Sequence, residues 1–319
     1  MPDQSSVLIV GGGPAGLTAG IYLCRAKIDA VLLDEQVTGG EAVYAPLIEN
    51  YPGFPEGITG AELMERMKAQ ADRFGLRTKT FSKAMGLEDG GQKKVVLLDS
   101  GEELEAFAVI VASGRSPQKL GIPGEEEFVG RGISHCATCD APLFKDRIVM
   151  VVGGGDAAVE EALHLTRFAG KVIIVHRRDE LRAADYLKER VLSEPKIEFL
   201  WNSHVEEIKG DQVVRSAVVK NEVTGERKEI TLDGVFFKVG NVPNTGFLSG
   251  LVELDERNYV KTDEKLETSL PGIFAAGDVR ANAFKQVILA AAEGGLAALS
   301  AQRYLEKIGH RQAYAGGAG

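Results

Sequence analysis

The chain has 319 residues, 44% of them apolar and 26% charged, and its formal net charge is −9. This length predicts about two domains with sizeable cores, and the acidic balance disfavours binding to nucleic acid or to an anionic membrane surface. Because the sequence shows neither a bilayer-spanning apolar run nor a secretory signal, we expect a cytoplasmic protein.

A glycine-rich turn follows the first predicted strand. Residues 6–16 run Ser-Val-Leu-Ile-Val-Gly-Gly-Gly-Pro-Ala-Gly, followed by a helix to about Ala26 and a second strand over Ala30–Leu33. Continuous apolar runs are typical of parallel strands covered on both faces. The glycines allow a sharp turn, close approach of a pyrophosphate and tight helix packing, and the helix N-terminus offers free N–H groups. The turn therefore predicts dinucleotide contacts by Gly11, Gly13, Pro14, Ala15 and Gly16.

Two carboxylates, Asp34 and Glu35, follow the second strand. A carboxylate at this position accepts hydrogen bonds from ribose hydroxyls and repels a 2′-phosphate. The first unit therefore suits FAD or NAD.

The central part of the chain carries a Cys-Ala-Thr-Cys motif, formed by Cys136 and Cys139, while Cys24 lies in the apolar pattern of the first helix. Three cysteines do not make a disulfide-stapled secreted domain, and one Cys-x-x-Cys cannot supply four thiolates to zinc. We expect no metal site. The motif favours redox chemistry over a chance pair of core thiols, and Cys24 is expected in the core.

The glycine design is repeated directly after the cysteine motif. Residues 148–158 run Ile-Val-Met-Val-Val-Gly-Gly-Gly-Asp-Ala-Ala, with a helix over about Ala158–Phe168 and a strand over Lys171–Val175 to follow. One such turn is weak support, since glycine clusters also form plain turns. Two copies that each follow a strand and open a helix supply the required context. The expected contacts are Gly153, Gly155, Asp156, Ala157 and Ala158.

The second unit ends its second strand with basic residues where the first has acids. His176, Arg177 and Arg178 occupy this position, and Arg182 adds a further positive charge. Guanidinium groups can bind a 2′-phosphate through paired hydrogen bonds. The pattern favours NADPH here, against the alternative of a solvated basic run at a strand end.

A third signal lies near the C-terminus, where residues 272–278 run Gly-Ile-Phe-Ala-Ala-Gly-Asp before a helix over about Phe284–Leu305. The carboxylate of Asp278 can bond a flavin polyol, and the helix N-terminus favours the electron-rich edge of the ring system.

Together these motifs resemble the low-molecular-weight thioredoxin reductases, class II of the pyridine nucleotide-disulfide oxidoreductases. The resemblance covers nearly the whole chain and is carried by the two glycine turns, the basic run and four further segments: Glu49-Asn-Tyr-Pro-Gly-Phe54, Cys136-Ala-Thr-Cys-Asp140, Pro243-Asn-Thr245 and Gly277-Asp278. The glutathione and lipoamide reductase branch carries its cysteines soon after the first acidic residue. The segment Val37 to Tyr44 has none, which excludes that branch.

The resemblance implies an α/β architecture with two Rossmann-like domains of the three-layer ββα type, the NADPH domain being inserted into the FAD domain. The expected bounds are 1–116 and 246–309 for the FAD domain, 117–245 for the NADPH domain with its cysteines, and 310–319 for a flexible tail containing Tyr314. Hinges are expected near Arg115–Gln118 and Asn241–Gly246, and the family is typically homodimeric.

The resemblance also implies the reaction. Electrons would pass from NADPH through FAD to the Cys136–Cys139 disulfide, and dithiol–disulfide exchange would then reduce thioredoxin. Cys139 would face the flavin, Cys136 would attack the partner, and Asp140 would act as the general acid–base, with a helix N-cap as its structural alternative. The NADPH domain is expected to rotate about the hinges between the two half-reactions.

Further FAD contacts implied by the resemblance are Gly40, Glu41, Asn50, Gly114, Lys285, Gln286 and Val287. Two of these depart from the family pattern, because Glu41 stands where Gln is usual and Lys285 where Arg is usual. Alternative functions are the reduction of a glutaredoxin-like or peroxidase partner, a flavoprotein with another electron donor, and a non-catalytic redox sensor.

Overall fold

A computed structural model describes residues 3–45, 47–134, 137–248 and 250–310, with the backbone alone at residues 3, 4, 138 and 139. The chain divides into two compact units. Unit 1 comprises Met1–Ser116 and Val242–Gly319, and unit 2 comprises Pro117–Asn241. Each unit is built on its own sheet.

The helices of the described residues are α1 (Pro14–Arg25), α2 (Gly60–Arg73), α3 (Ala137–Asp140), α4 (Asp156–Leu165), α5 (Asp185–Leu192) and α6 (Val287–Lys307). The strands are β1 (Asp3–Val10), β2 (Ala30–Leu33), β3 (Arg77–Lys79), β4 (Ala84–Asp89), β5 (Lys94–Leu98), β6 (Glu103–Val111), β7 (Arg115–Pro117), β8 (Ile133–Ser134), β9 (Ile148–Val152), β10 (Lys171–Val175), β11 (Ile197–Leu200), β12 (Ser203–Gly210), β13 (Val214–Asn221), β14 (Arg227–Thr231), β15 (Gly234–Phe237), β16 (Asn241–Pro243) and β17 (Ile273–Ala275). Short 3-10 helices cover Gly40–Tyr44, Ala141–Phe144, Gly246–Leu248 and Gly277–Val279. No helix in these ranges is both long and apolar enough to cross a membrane.

The sheet of unit 1 runs in the order β3-β2-β1-β6-β5-β4, and β17 also pairs with β6. Successive side chains of β1 enter opposite cores, as the period of a strand requires. Val7 and Ile9 face the core that holds residues of α1, α2 and α6, while Leu8 and Val10 face the second apolar cluster. The central parallel strands are therefore covered on both faces, which explains their uninterrupted apolar sequence.

Helices α1 and α6 of unit 1 approach each other through small residues. A Cβ added at Gly294 would lie 2.0 Å from the carbonyl oxygen of Ala15. Only glycine allows this backbone approach. The contact seats α6 directly beside the helix that follows the first glycine turn.

Unit 2 has three layers. A parallel sheet in the order β11-β10-β9-β15-β8 has residues of α4 and α5 on one face, and a three-stranded antiparallel sheet, β12-β13-β14, packs on the other.

The two units place their glycine turns in the same position of their sheets. β1 lies between β2 and β6, and β9 lies between β10 and β15. The amide of Gly11 donates to the carbonyl of Leu33 at 2.8 Å, and that of Gly153 to Val175 at 3.0 Å. Ligands of open α/β sheets bind beyond the carboxyl ends of the strands, where the strand order reverses. Each turn lies at such a point.

The predicted strands over Ala30–Leu33 and Lys171–Val175 are confirmed. The helices differ from the prediction at their ends, since α4 covers Asp156–Leu165 and α6 begins only at Val287. Gln286, just before α6, is extended, and the ammonium of Lys285 donates to the carbonyl of Asp278 at 2.8 Å. The short strands β7 and β16, where the chain crosses from one unit to the other, pair with each other.

Candidate dinucleotide and redox sites

The first glycine turn is closed by backbone contacts that exclude any side chain at two positions. Gly11 has φ +106°, and a Cβ there would lie 2.3 Å from the carbonyl oxygen of Ala112. A Cβ at Gly16 would lie 1.8 Å from the oxygen of Gly11. Gly13 differs, because no atom lies closer than 4.0 Å to its Cβ position, and Pro14 and Ala15 follow it in the first turn of α1. The turn therefore presents open backbone at the helix N-terminus.

The side chain of Asp34 is hydrogen-bonded to the backbone of this turn. Its Oδ2 accepts from the amide of Gly12 at 2.7 Å and its Oδ1 from that of Gln36 at 2.8 Å. Burial raises the pKa of the Asp34 carboxyl, although both backbone hydrogen bonds oppose the rise. Each oxygen keeps a further lone pair for a ligand hydroxyl. The neighbouring Glu35 is exposed and pairs with Lys83 at 3.2 Å.

Other predicted flavin contacts gather around the same turn of unit 1. Gly40 lies against Gly13, with its Cβ position 3.3 Å from the Gly13 Cα. Asn50 donates to the side-chain oxygen of Gln286 at 2.9 Å, across 236 positions of sequence. Val287 begins α6, Gly114 has φ +63° with nothing within 4 Å of its Cβ position, and Glu41 is exposed. Gly114 thus offers open backbone, Gly40 packs against the first glycine turn, and Asn50 is tied to the residue before α6.

A charged network surrounds Asp278 in unit 1. Arg115 donates through Nε to the Oδ2 of Asp278 at 3.0 Å. Gly277 donates its amide to Glu293 at 2.7 Å. The ammonium of Lys285 lies 4.4 Å from the centre of the Tyr259 ring, and burial lowers its pKa. The network fixes the Asp278 carboxylate beside α6 and leaves its second oxygen available.

The second glycine turn repeats the first with different partners. A Cβ at Gly153 would lie 2.4 Å from the carbonyl oxygen of Lys238, whereas nothing lies within 4 Å of the Gly155 position. Asp156 begins α4 and accepts from the amide of Ala184 at 2.7 Å. Ala157 is exposed and Ala158 is buried on β9. Open backbone again stands at the start of a helix.

His176 occupies the place that Asp34 has in unit 1, but it is buried rather than turned to a ligand. Its ring lies under Gly154, where a Cβ would come within 2.4 Å of the imidazole. Its Nε2 is buried without a hydrogen-bond partner among the described residues. Burial lowers the His176 pKa, and the cations of Arg182, Arg178 and Arg177 lower it further. The buried imidazole therefore packs beneath the turn at Gly154.

Three arginines around that imidazole face solvent. Arg177, Arg178 and Arg182 are exposed, and none has a carboxylate partner within the described part of the chain. The amide of Arg182 donates to the carbonyl of Gly154 at 2.7 Å, which fastens its segment to the turn. All three cations lower the pKa of the His176 imidazole. Such a cluster can bind an anion without breaking an internal ion pair.

The redox motif begins where α3 begins. Cys136 and its neighbour His135 lie outside the described residues, as does the side chain of Cys139. Asp140 is half-buried at the end of α3, and it stands at the N-cap position of the following 3-10 helix without a capping side-chain hydrogen bond. Tyr314 and the rest of the predicted tail after residue 310 also lie outside the described part. Cys24 is buried in the core of unit 1, and burial raises its pKa to about 11.

Sequence patterns missed two residues that contact the redox helix. The amide of Ala137 donates to Oε1 of Glu161 at 3.0 Å, and Lys238 approaches the same oxygen at 2.8 Å. Glu161 lies in the middle of an amphipathic helix pattern and Lys238 at a strand end, so neither stands out in the sequence. A carboxylate on the buried side of α4 was the one available signal. In the described ranges, no group of three or more His, Cys, Asp or Glu side chains is placed to hold a metal ion.

Comparison with known proteins identifies the class. The family model described as pyridine nucleotide-disulphide oxidoreductase matches residues 5–294. The thioredoxin reductase of Peptoclostridium acidaminophilum is 45% identical over 314 residues, covering 96% of this chain and 98% of that protein. That of Listeria monocytogenes serovar 1/2a is 46% identical over 303 residues, covering 95% and 94%. The structure of Lactococcus lactis thioredoxin reductase in its FR conformation matches with a TM-score of 0.79 at 42% identity, covering 95% and 99%.

The chain belongs to the pyridine nucleotide-disulphide oxidoreductases and, within them, to the low-molecular-weight thioredoxin reductase family. The resemblance seen in the sequence is confirmed, and so are the α/β fold class with Rossmann-type domains and the expectation of an oxidoreductase. Membership of the family implies a flavin and a nicotinamide cofactor.

Proposed function

We propose that this enzyme reduces oxidised thioredoxin with electrons from NADPH, using bound FAD and the Cys136–Cys139 pair. One observation carries the proposal: the helix of the redox motif is hydrogen-bonded to α4, the helix that the second glycine turn opens. The dithiol motif and the basic dinucleotide turn therefore belong to one compact unit, and the acidic turn belongs to the other. The names of the similar proteins agree with thioredoxin as the acceptor.

Unit 1 would hold FAD. The open backbone at Gly13, against which Gly40 packs, fits the diphosphate, since the N-terminus of α1 adds free N–H groups and a positive dipole end. Asp34 would accept from a ribose hydroxyl and Asp278 from the polyol. Gln286 and Val287 would stand at the start of α6 beside the ring system. The remaining expected contacts, Gly11, Pro14, Ala15, Gly16, Glu35, Glu41, Asn50, Gly114, Gly277 and Lys285, would shape or flank this cradle.

Unit 2 would hold NADPH. Gly155 offers open backbone at the start of α4 for the diphosphate. Arg177, Arg178 and Arg182 would bind the 2′-phosphate by charge-assisted hydrogen bonds, for which each is free of internal carboxylate partners in the described ranges. His176 would support the turn from beneath rather than contact the phosphate, because its ring is buried. Gly153, Asp156, Ala157 and Ala158 would form the rest of the turn.

When bound, the flavin and the nicotinamide supply the hydride chemistry that brings two electrons from NADPH to the Cys136–Cys139 disulfide. The thiolate of Cys136 would then attack one sulfur of the thioredoxin disulfide, forming a mixed disulfide and releasing one thioredoxin thiolate. The thiolate of Cys139 would attack the Cys136 sulfur, which restores the internal disulfide and releases the second thiolate. Asp140 would relay protons one at a time, taking up the proton that each attacking thiol of the pair gives up and passing it to the leaving thioredoxin thiolate.

The surface beside the redox helix suits a protein acceptor. Leu143, four residues after Cys139, is 78% exposed. A large apolar side chain exposed next to a reactive pair offers a desolvated contact to a docking partner. A glutaredoxin-like or peroxidase acceptor would use the same chemistry, so the acceptor must be identified by assay. We also expect a cytoplasmic location and a homodimer. Light scattering of the purified enzyme tests the oligomeric state.

The test is steady-state reduction with NADPH against NADH, and with thioredoxin against a glutaredoxin-like protein. We expect thioredoxin to be reduced with NADPH at high kcat/KM, and NADH to be at least about 30-fold less efficient, since it lacks the phosphate that the three arginines would bind by charge-assisted hydrogen bonds. C136S and C139S should each abolish turnover, while C24S, the matched cysteine control, should not change it. Equal kcat/KM with both nucleotides would refute the assignment of the arginines to the 2′-phosphate. Turnover with the glutaredoxin-like protein but not with thioredoxin would refute thioredoxin as the acceptor.

A further inference from the structure

Glu161 is a largely buried carboxylate in the middle of α4. Its side chain is 13% exposed, and that of its partner Lys238 is 26% exposed. One carboxylate oxygen, Oε1, accepts both from Lys238 at 2.8 Å and from the amide of Ala137 at 3.0 Å. The first peptide N–H of the redox helix is therefore bound to an ion pair.

The other carboxylate oxygen of Glu161, Oε2, is buried and has no hydrogen-bond partner in the described part of the chain. Burial raises the pKa of this carboxyl, while Lys238 and the Ala137 amide oppose the rise. An unpaired buried acceptor is unfavourable. A neutral side chain such as glutamine would accept from the same N–H without burying a charge, so the negative charge itself calls for an explanation.

The position of the charge follows from covalent geometry. The nitrogen of Ala137 is bonded to the carbonyl carbon of Cys136, and the carboxylate lies 3.0 Å from that nitrogen. The carboxylate therefore contacts the residue that directly follows Cys136 in the sequence. An anion near a thiol disfavours the thiolate, and a neighbouring ammonium partly cancels the effect.

We propose that the Glu161–Lys238 pair holds the N-terminal end of the redox helix and sets the reactivity of the dithiol that this helix carries. The proposal rests on the proposed function in that Cys136 and Cys139 are the redox pair. Glu161 is a positioning residue, because it acts through the helix and its field rather than by touching the acceptor.

Other charged groups face the pair from neighbouring elements. The same open cleft of about 860 Å³ that Glu161 and Lys238 line is also lined by Glu160 and His164 of α4, Arg167 just after α4, Arg190 of α5 and Glu194 just after α5. Asp140 stands at the far end of α3. None of these is hydrogen-bonded to Ala137 within the described residues, so Glu161 is the charge coupled most directly to the motif.

The test measures thiol reactivity on the full-length holoenzyme. The protein is reduced with dithiothreitol, freed of reductant without oxygen, and alkylated with iodoacetamide between pH 5 and 9, and each cysteine is quantified by mass spectrometry. Glu161→Gln keeps the acceptor for Ala137 and the side-chain volume but removes the charge. Below the midpoint of the pH profile we expect Cys136 to react about 5- to 20-fold faster, with the midpoint moved to lower pH.

Three controls separate charge from structure. Glu160→Gln removes an exposed charge from the same helix and should change the rate less than about twofold. Glu161→Gln combined with Lys238→Met removes both charges and should return the rate to within about threefold of the wild type. The buried Cys24 thiol, whose pKa is raised to about 11, is the internal reference in every sample.

An unchanged pH profile in Glu161→Gln would overturn the proposal, as would a double variant that stays as reactive as Glu161→Gln. If Glu161→Gln does not fold, Lys238→Met alone decides at pH 8, where we expect alkylation at least about twofold slower than in the wild type. A rate equal to or above the wild type would overturn the proposal. The alkylation needs neither NADPH nor thioredoxin, so failure of the wild type to reduce thioredoxin would refute the proposed function alone.

Discussion

Removing the arginines of unit 2 should change the choice of nucleotide without weakening the fold. We consider the double variant Arg177→Gln/Arg178→Gln. Both side chains are exposed and lack a carboxylate partner in the described ranges, so their loss breaks no internal ion pair. The structure therefore predicts an effect on ligand binding with little effect on the free energy of unfolding.

The magnitude follows from the contacts that each guanidinium would make with a 2′-phosphate. A charge-assisted hydrogen bond contributes about 1.5–3 kcal/mol when desolvated, and exposure to solvent and salt brings this to about 1–1.5 kcal/mol for each arginine. Two arginines then give about 2–3 kcal/mol, or about a 30- to 150-fold loss of kcat/KM for NADPH. NADH lacks the phosphate, so its kcat/KM should change less than about threefold.

The assay is steady-state turnover with thioredoxin at several NADPH and NADH concentrations, at low salt and at about 0.5 M salt, where screening should narrow the difference. The matched control, Arg167→Gln/Arg190→Gln, removes two exposed charges of the same unit, one just after α4 and one in α5. An equal loss for NADPH and NADH, or an equal loss in the control, would refute the reasoning.

Three further outcomes follow from individual contacts. Gly16→Ala should lower the melting temperature by about 6–12 °C, because its Cβ would lie 1.8 Å from a backbone oxygen. Gly155→Ala, whose Cβ would lie in open space, should change the melting temperature by less than about 2 °C and weaken NADPH binding. Calorimetry measures the melting temperatures and nucleotide titration the binding, and equal melting temperatures for the two variants would contradict the geometry. Burial raises the Glu161 pKa, so the stability from this group is present below about pH 4.5 and is lost as pH rises through the folded pKa. The free energy of unfolding of Glu161→Gln, measured in urea, should therefore rise relative to that of the wild type between pH 4 and 8. A difference in this free energy that does not change with pH would exclude the linkage. With a pKa of about 11, Cys24 is ionised in about one molecule in 1000 at pH 8. Thiol titration of the oxidised enzyme should therefore detect no fast-reacting thiol in the native protein and one such thiol after denaturation.

Local features of the fold could be predicted because they depend on residues close in sequence. The apolar strands over Ala30–Leu33 and Lys171–Val175 and the two glycine turns follow from side-chain period and from backbone freedom at Gly11 and Gly153. The start of α6 at Val287 was predicted three residues too early, because helix ends are fixed less sharply by local sequence than the helix itself.

In the candidate site, too, local sequence predicts some features and tertiary packing decides the others. The residue types at the two strand ends, Asp34 against the basic run, are legible in the sequence because the chemistry of each side chain is independent of the fold. Whether such a residue faces a ligand depends on packing. His176 lies at the matching position of Asp34, yet the close approach of Gly154 buries its ring beneath the turn.

The sequence by itself determined the class of this protein, since its glycine turns, basic run and cysteine pair each carry their chemistry in a short segment. Only the tertiary structure decided which distant groups support them. Asn50 meets Gln286, Arg115 meets Asp278, and Glu161 meets the peptide of Ala137. These contacts join residues from separate elements, and no local pattern encodes them, because the energy of burying a charge or an amide depends on what the fold brings beside it.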